Sequence, residues 1–111
     1  MQVNNHDLIV TIVKRGHADQ IVKASKEAGA EGATILYGRG SGIHEQKKLL
    51  GIAIEPEKDI ILTVIHRDKS DAVLQAINAA GEMSKPGTGI AFVLELKKVA
   101  GISHLLRAQG K

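Results

Sequence analysis

Two runs of mostly β-branched apolar residues, 8–13 and 60–65, stand between polar flanks. Each is too short for most helices, so each predicts a central strand covered on both faces. Behind each run the spacing turns helical. Ala18, Ile21, Val22, Ser25 and Ala28 fall at i, i+3, i+4, i+7 and i+10; Ala72 or Val73, Ala76, Ile77 and Ala80 repeat that face. Gly29 and Gly81 follow as helix stops. A second apolar segment, 33–37 and then 89–96, closes each unit as a further strand.

The two units are one pattern written twice. Shifting the chain by 52 residues lays 7–29 on 59–81 with eight of 23 positions identical, among them Asp7/Asp59, Thr11/Thr63, Arg15/Arg67 and Asp19/Asp71. The order βαβ then βαβ predicts an α+β ferredoxin-like βαββαβ sandwich, with an antiparallel sheet and both helices on one face. Right-handed crossovers in both halves relate them by a pseudo-twofold axis. Both parities of the central strands are apolar, so the face away from the helices is expected to be buried by other copies, as a homotrimer.

Length and composition narrow the functional classes. The 111 residues make one domain, 1–111, with one core. No apolar run approaches the roughly 18 residues of a membrane helix, the N-terminus lacks a signal peptide's apolar segment, and there is no cysteine; a cytoplasmic address is expected. The net charge of +3 suits an anionic ligand, while one Tyr, one Phe and no Trp argue against a nucleic-acid partner.

Two connections carry the candidate chemistry. The first, 38–58, is longer than compact domains normally keep without a reason; it holds the GRGSG run, then HEQKK, and 49–54 is expected to extend as a hairpin strand. The second, 82–89, contains Lys85, Thr88 and the glycines 87 and 89, whose N–H groups can approach an anion where no Cβ intervenes. The stretch GAEGA reads as a turn only.

Over about 7–102 the chain resembles the PII signal-transduction family, through "TIVK", "GATIL" with the following "GSG", "EKDIILTVI" and "SKPGTGIAFVLELKKVAGI". The resemblance implies a ferredoxin-like trimer holding adenine nucleotides in clefts between subunits. The segment leading into the family's T-loop (here about 38–58) is Gly40-Ser41-Gly42. Its B-loop, about 82–89, contributes Lys85, Gly87, Thr88 and Gly89. Thr34 falls on the threonine that faces adenine, and Lys58 on the lysine that engages 2-oxoglutarate; Ile12 and Val64 complete the nucleotide-binding set. The implied ligand is ATP, ADP or AMP, with 2-oxoglutarate and Mg2+ as further candidates.

The departures from the family shape that expectation. The T-loop glutamine aligns with His44, the lysine after the B-loop with Ile90, and two phosphate-clamping arginines with Gly101 and Ser103. Lost charge there weakens a triphosphate more than a smaller anion, at roughly 1.5–3 kcal/mol per charge-assisted bond. The T-loop is also about five residues shorter and lacks the modified tyrosine and serine. The reading is therefore a non-enzymatic regulator whose loop residues His44, Glu45, Gln46, Lys47 and Lys48, as its moving tip, meet an enzyme or membrane transporter.

The alternative is a divalent-cation-binding trimer of the CutA type, which shares the fold. None of the five histidines pairs at i+3 or i+4, and His44 with Glu45 is the only loop candidate for a metal. No Ser–His–Asp or paired-carboxylate arrangement is legible, Thr11 and Thr63 read as strand residues, and Asp19 and Asp71 as first-turn helix acids. The tail, 100–111, is expected to dock, with Leu105 and Leu106 apolar and Arg107 a candidate phosphate contact.

Overall fold

A computed structural model describes residues 2–3, 5–42 and 47–101. Its elements run β1 (Gln2–Val3), β2 (His6–Lys14), α1 (Ala18–Glu27), β3 (Thr34–Arg39), β4 (Lys47–Leu49), β5 (Ile52–Ile54), β6 (Glu57–His66), α2 (Arg67–Ala80), β7 (Gly89–Glu95) and β8 (Lys98–Val99). Four of the strands form an antiparallel sheet in the order β3-β6-β2-β7, the ferredoxin-like arrangement expected from the sequence. The residues at 47–54 form a separate hairpin, β4 with β5, rather than an extension of a sheet strand. Its turn, Leu50–Gly51, has both residues at positive φ (53° and 81°), the twist that suits a two-residue hairpin.

Alternation within the central strands sets the core. Ile9, Thr11 and Val13 of β2 and Ile61, Thr63 and Ile65 of β6 are buried on the helix side. Ala18, Ile21 and Ser25 of α1 and Ser70, Val73 and Ile77 of α2 cover them, so Val73 and not Ala72 carries the apolar face. Opposite parities face away from the helices. There Val10 lies between Leu62 and Phe92, and Ile12 between Ile60 and Ile90, in continuous apolar rows across the sheet. Phe92, Leu94, Ile90 and Leu36 are 40–55% exposed on that side, which is the uncovered apolar face the sequence predicted.

The repeat is expressed as an exchange of partners between the halves. Val10 and its repeat-equivalent Leu62 are register partners, so the pseudo-twofold axis passes between them. Around it, Asp59 on β6 accepts the backbone N–H groups of Gly16 (2.9 Å) and Ala18 (3.1 Å) at the start of α1. Asp7 on β2 accepts Arg67 Nε (3.0 Å) and the Ser70 hydroxyl (2.7 Å) at the start of α2. Arg15 lies beside Asp59 as Arg67 lies beside Asp7. Each half thus anchors the other's helix.

The helix starts are where the halves differ. Gly16, at φ 98°, makes a turn before α1, whereas its equivalent Asp68 is helical and its N–H is capped by Nδ1 of His66. α2 therefore begins earlier in the repeat, and its first-turn acid is Asp68, not the expected Asp71. Asp19 holds the first-turn position in α1 as expected.

Candidate functional site

At one end of the sheet's open face, β3 leaves the sheet into the glycine-rich run and β7 enters it from the 81–89 turn. Between them lies a cleft of about 410 Å³. Seven residues of the expected set line it: Ile12, Gly40, Ser41, Gly42, Lys58, Gly87 and Gly89. Register explains the meeting. Lys58 lies opposite Gly38 on β3, Ile60 opposite Ile12, and Ile12 opposite Ile90, so residues far apart in sequence share one floor.

Glycine is needed where the walls come close. A Cβ on Gly89 would sit 2.8 Å from the Ile12 carbonyl oxygen and 2.9 Å from a Val13 methyl group. Any larger residue therefore pushes β7 off β2 at the mouth of the cleft. Gly87 adopts φ 81°, which reverses the chain before β7. Gly40 has open space where a side chain would stand, while its own N–H is donated to the Pro56 carbonyl (3.1 Å). Lys58 is 8% exposed, a cation set into an otherwise apolar floor.

The other four expected residues lie elsewhere. Thr34 is opposite Leu62, and Val64 opposite Leu8, further along the open face and outside the cleft of a single chain. Lys85 and Thr88 line a second, smaller cleft with His17, Gln20 and Glu82. The Thr88 hydroxyl points into its own turn, within hydrogen-bond reach of the carbonyls of Glu82 (3.0 Å) and Lys85 (2.9 Å). Lys85 donates to the Glu82 carboxylate, and that bond holds the Glu82 carboxyl below its ordinary pKa and the Lys85 ammonium above its own. Local sequence could not show this, because the turn's own bonds decide which way its side chains face.

Gly38, Arg39, Ile60 and Ile90 line the cleft without having been assigned to the nucleotide set. Ile60 was within reach of the sequence: the antiparallel pairing of the two repeats places it beside Ile12. His44, Glu45 and Gln46 lie outside the described residues, as do the side chains of Lys47 and Lys48 and the tail from 102 onward. Among the described residues no cluster of three His, Cys, Asp or Glu could hold a metal ion. Thr11 and Thr63 are completely buried, out of reach of any substrate.

The model of one family, nitrogen regulatory protein P-II, matches residues 6–104. The chain belongs to the P-II family. Among solved structures it is similar to Arabidopsis thaliana PII bound to citrate, at 21% identity with a TM-score of 0.70, over 90% of this chain and 85% of that one. That likeness is one of fold. No curated protein matches the sequence. P-II family proteins are in general regulatory rather than catalytic, and a trimer is consistent with membership. No described helix of this P-II protein is long and apolar enough to cross a membrane, which leaves β-barrels aside.

Proposed function

We propose that this P-II protein is a homotrimeric, non-enzymatic signalling protein of the cytoplasm, in which the whole chain acts as one domain. It binds an adenine nucleotide or a related small anion in the glycine-lined cleft and signals through the 38–58 loop to a partner enzyme or transporter. The observation that carries this reading is the convergence of Gly40, Ser41, Gly42, Lys58, Gly87 and Gly89 on one cleft. A glycine-walled opening beside a buried lysine suits an anion, and the isoleucine floor suits an apolar body.

The uncovered sheet face supplies the argument for assembly. A monomer would leave the Phe92 and Ile90 rows in water, whereas further copies cover them. Thr34 and Val64, on that same face but outside the cleft of one chain, would then be offered to a neighbour's site. The long loop starts at the cleft's glycines, so a bound ligand orders its root and changes what its hairpin presents.

Thermal melting of the full chain with ATP, ADP, AMP, citrate and 2-oxoglutarate, each with and without Mg2+, tests the binding half. A ligand at a hundred times its Kd should stabilise the fold by about 2.7 kcal/mol. Light scattering tests the assembly. A monomer at all concentrations that no ligand stabilises would refute the proposal.

A further inference from the structure

The hairpin within the 38–58 loop ends in an apolar turn. β4 and β5 form a two-stranded sheet of their own, and Leu50–Gly51 joins them. Leu50 is 93% exposed and Ile52 69% exposed, the two highest values for a large apolar side chain among the described residues. Leu50 also stands at φ 53°, a left-handed turn position that favours glycine or asparagine and that leucine rarely takes. A leucine held in that conformation and set in water gains nothing from the fold of its own chain, so its use lies outside that fold. By sequence, 49–54 holds no polar side chain; Lys47 and Lys48 precede it and Glu55 follows it, two cations against one anion. Lys47 pairs with Ile54 and Lys48 with Ala53, so both lysines stand on the stem behind the turn.

We infer that this hairpin is a membrane-surface finger, whose turn sinks into the headgroup region of an anionic bilayer. Three steps along the chain, at about 3.3 Å each, separate Lys47 from Leu50, so the finger is about 10 Å long. Interfacial segments bury their apolar parts to a similar depth, about 5–10 Å. The open edges of a lone hairpin need water or headgroups, so the finger rests in the interface and does not span the bilayer. Lysines on the stem then meet headgroup phosphates, and the chain's net charge of +3 acts in the same direction. A protein pocket is the poorer fit, because it takes an apolar anchor framed by a polar rim, whereas 49–54 is apolar without interruption. The inference goes beyond the cleft and asks nothing of its ligand.

The chain has no tryptophan, so Leu50→Trp places a lone fluorescent reporter at the turn. On vesicles of phosphatidylcholine with phosphatidylglycerol its emission should shift to the blue, and brominated acyl chains should quench it. Flotation of the native full chain should show binding to those vesicles, several-fold stronger than to phosphatidylcholine alone. Leu50→Asn gives the turn a residue it favours and removes the apolar group. It should leave stability in urea unchanged or raised, yet cut vesicle binding about tenfold. A native chain that binds neither vesicle, or a bound chain whose reporter does not shift, overturns the proposal and leaves the turn to a protein pocket. Equal binding to both vesicles overturns the part given to the lysines, and native-like binding by Leu50→Asn overturns the part given to Leu50. Every arm is measured without nucleotide, so failure here leaves the reading of the cleft standing.

Discussion

Asp59→Ala tests whether the two halves anchor one another. The Asp59 carboxylate is 3% exposed and is the acceptor for two backbone donors at the start of α1, Gly16 N–H and Ala18 N–H. His17, at the N-cap position, makes no capping bond with its side chain, so the aspartate acts as a cap supplied from across the sheet. Loss of an ordinary cap costs about 0.5–2 kcal/mol, and a buried donor left unsatisfied costs about 1–3 kcal/mol. Arg15 contributes little to the total, since it is half exposed and its Nε stays 3.9 Å away. The expected loss is therefore about 2–4 kcal/mol. Asp59→Asn keeps an oxygen for both N–H groups but sets its amide N–H donors where Oδ1 has no hydrogen-bond partner, so it should lose less than Asp59→Ala, about 1–2 kcal/mol. Urea unfolding at one fixed protein concentration measures the difference, because an oligomer's stability depends on concentration. Asp71→Ala, at an exposed site on α2, is the control. A loss for Asp59→Ala within about 0.5 kcal/mol of that control would refute the capping argument. Asp7→Ala should behave like Asp59→Ala, since its partners Ser70 and Arg67 are left in the same way.

Gly89→Ala should destabilise by about 2 kcal/mol or more in urea, because the clash is with the Ile12 backbone and no side chain can yield to relieve it. Phe92→Glu should reduce the mass seen by light scattering to that of one chain, since it sets a charge on the open apolar face opposite Val10; an unchanged mass removes that face from the assembly. Acid should destabilise the fold in two stages. Burial, His66 and Arg67 lower the His6 pKa against the pull of Asp7, so its contribution is full above about 6.5 and falls as pH drops toward the folded value. Burial raises Asp7, but the bonds from Ser70 and Arg67 and the charges of Arg67 and His6 outweigh it; its contribution is present above 3.8 and is lost as pH falls through its depressed folded value. His6→Gln should remove the upper stage only, and parallel wild-type and variant curves between about pH 5 and 7 would contradict it.

The frame was legible because burial leaves its mark on apolar spacing. The predicted strands at 8–13 and 60–65 are present, but they run on to His6–Lys14 and Glu57–His66. Charged residues at their ends read as flanks, whereas Asp7 and Asp59 are ladder residues whose carboxylates are satisfied from the opposite half. The identities Asp7/Asp59 and Arg15/Arg67 were visible as a repeat; that each aspartate partners the other half's arginine needed the register. In the cleft the glycines and Lys58 could be picked out along the chain. Gly38 reaches the cleft through the pairing of β3 with β6, and Ile60 through the pairing of the two repeats, while hydrogen bonds internal to a turn, which leave no periodicity to read, set which way the Lys85 and Thr88 side chains face.

The pseudo-twofold also explains how the two ends of the open face come to differ. Lys14 and Lys58 are register partners at the cleft end of the β2–β6 ladder, and their repeat-equivalents His66 and His6 are partners at the far end. The two ends thus start from matched positions on matched strands. At the far end α2 follows β6 without a break, and the His6 and His66 rings pack edge to face, 5.4 Å apart. At the cleft end the neighbouring strands depart into Gly38–Arg39–Gly40 and arrive from Gly87–Thr88–Gly89, where missing side chains leave space that no helix start fills. Repetition fixed the frame, and the connections broke the symmetry; the cleft therefore lies where the two halves differ. On that argument the residues that shape the cleft are the glycines of the two connections and the buried Lys58, whereas the repeated threonines and aspartates have side chains that serve the fold at both ends alike.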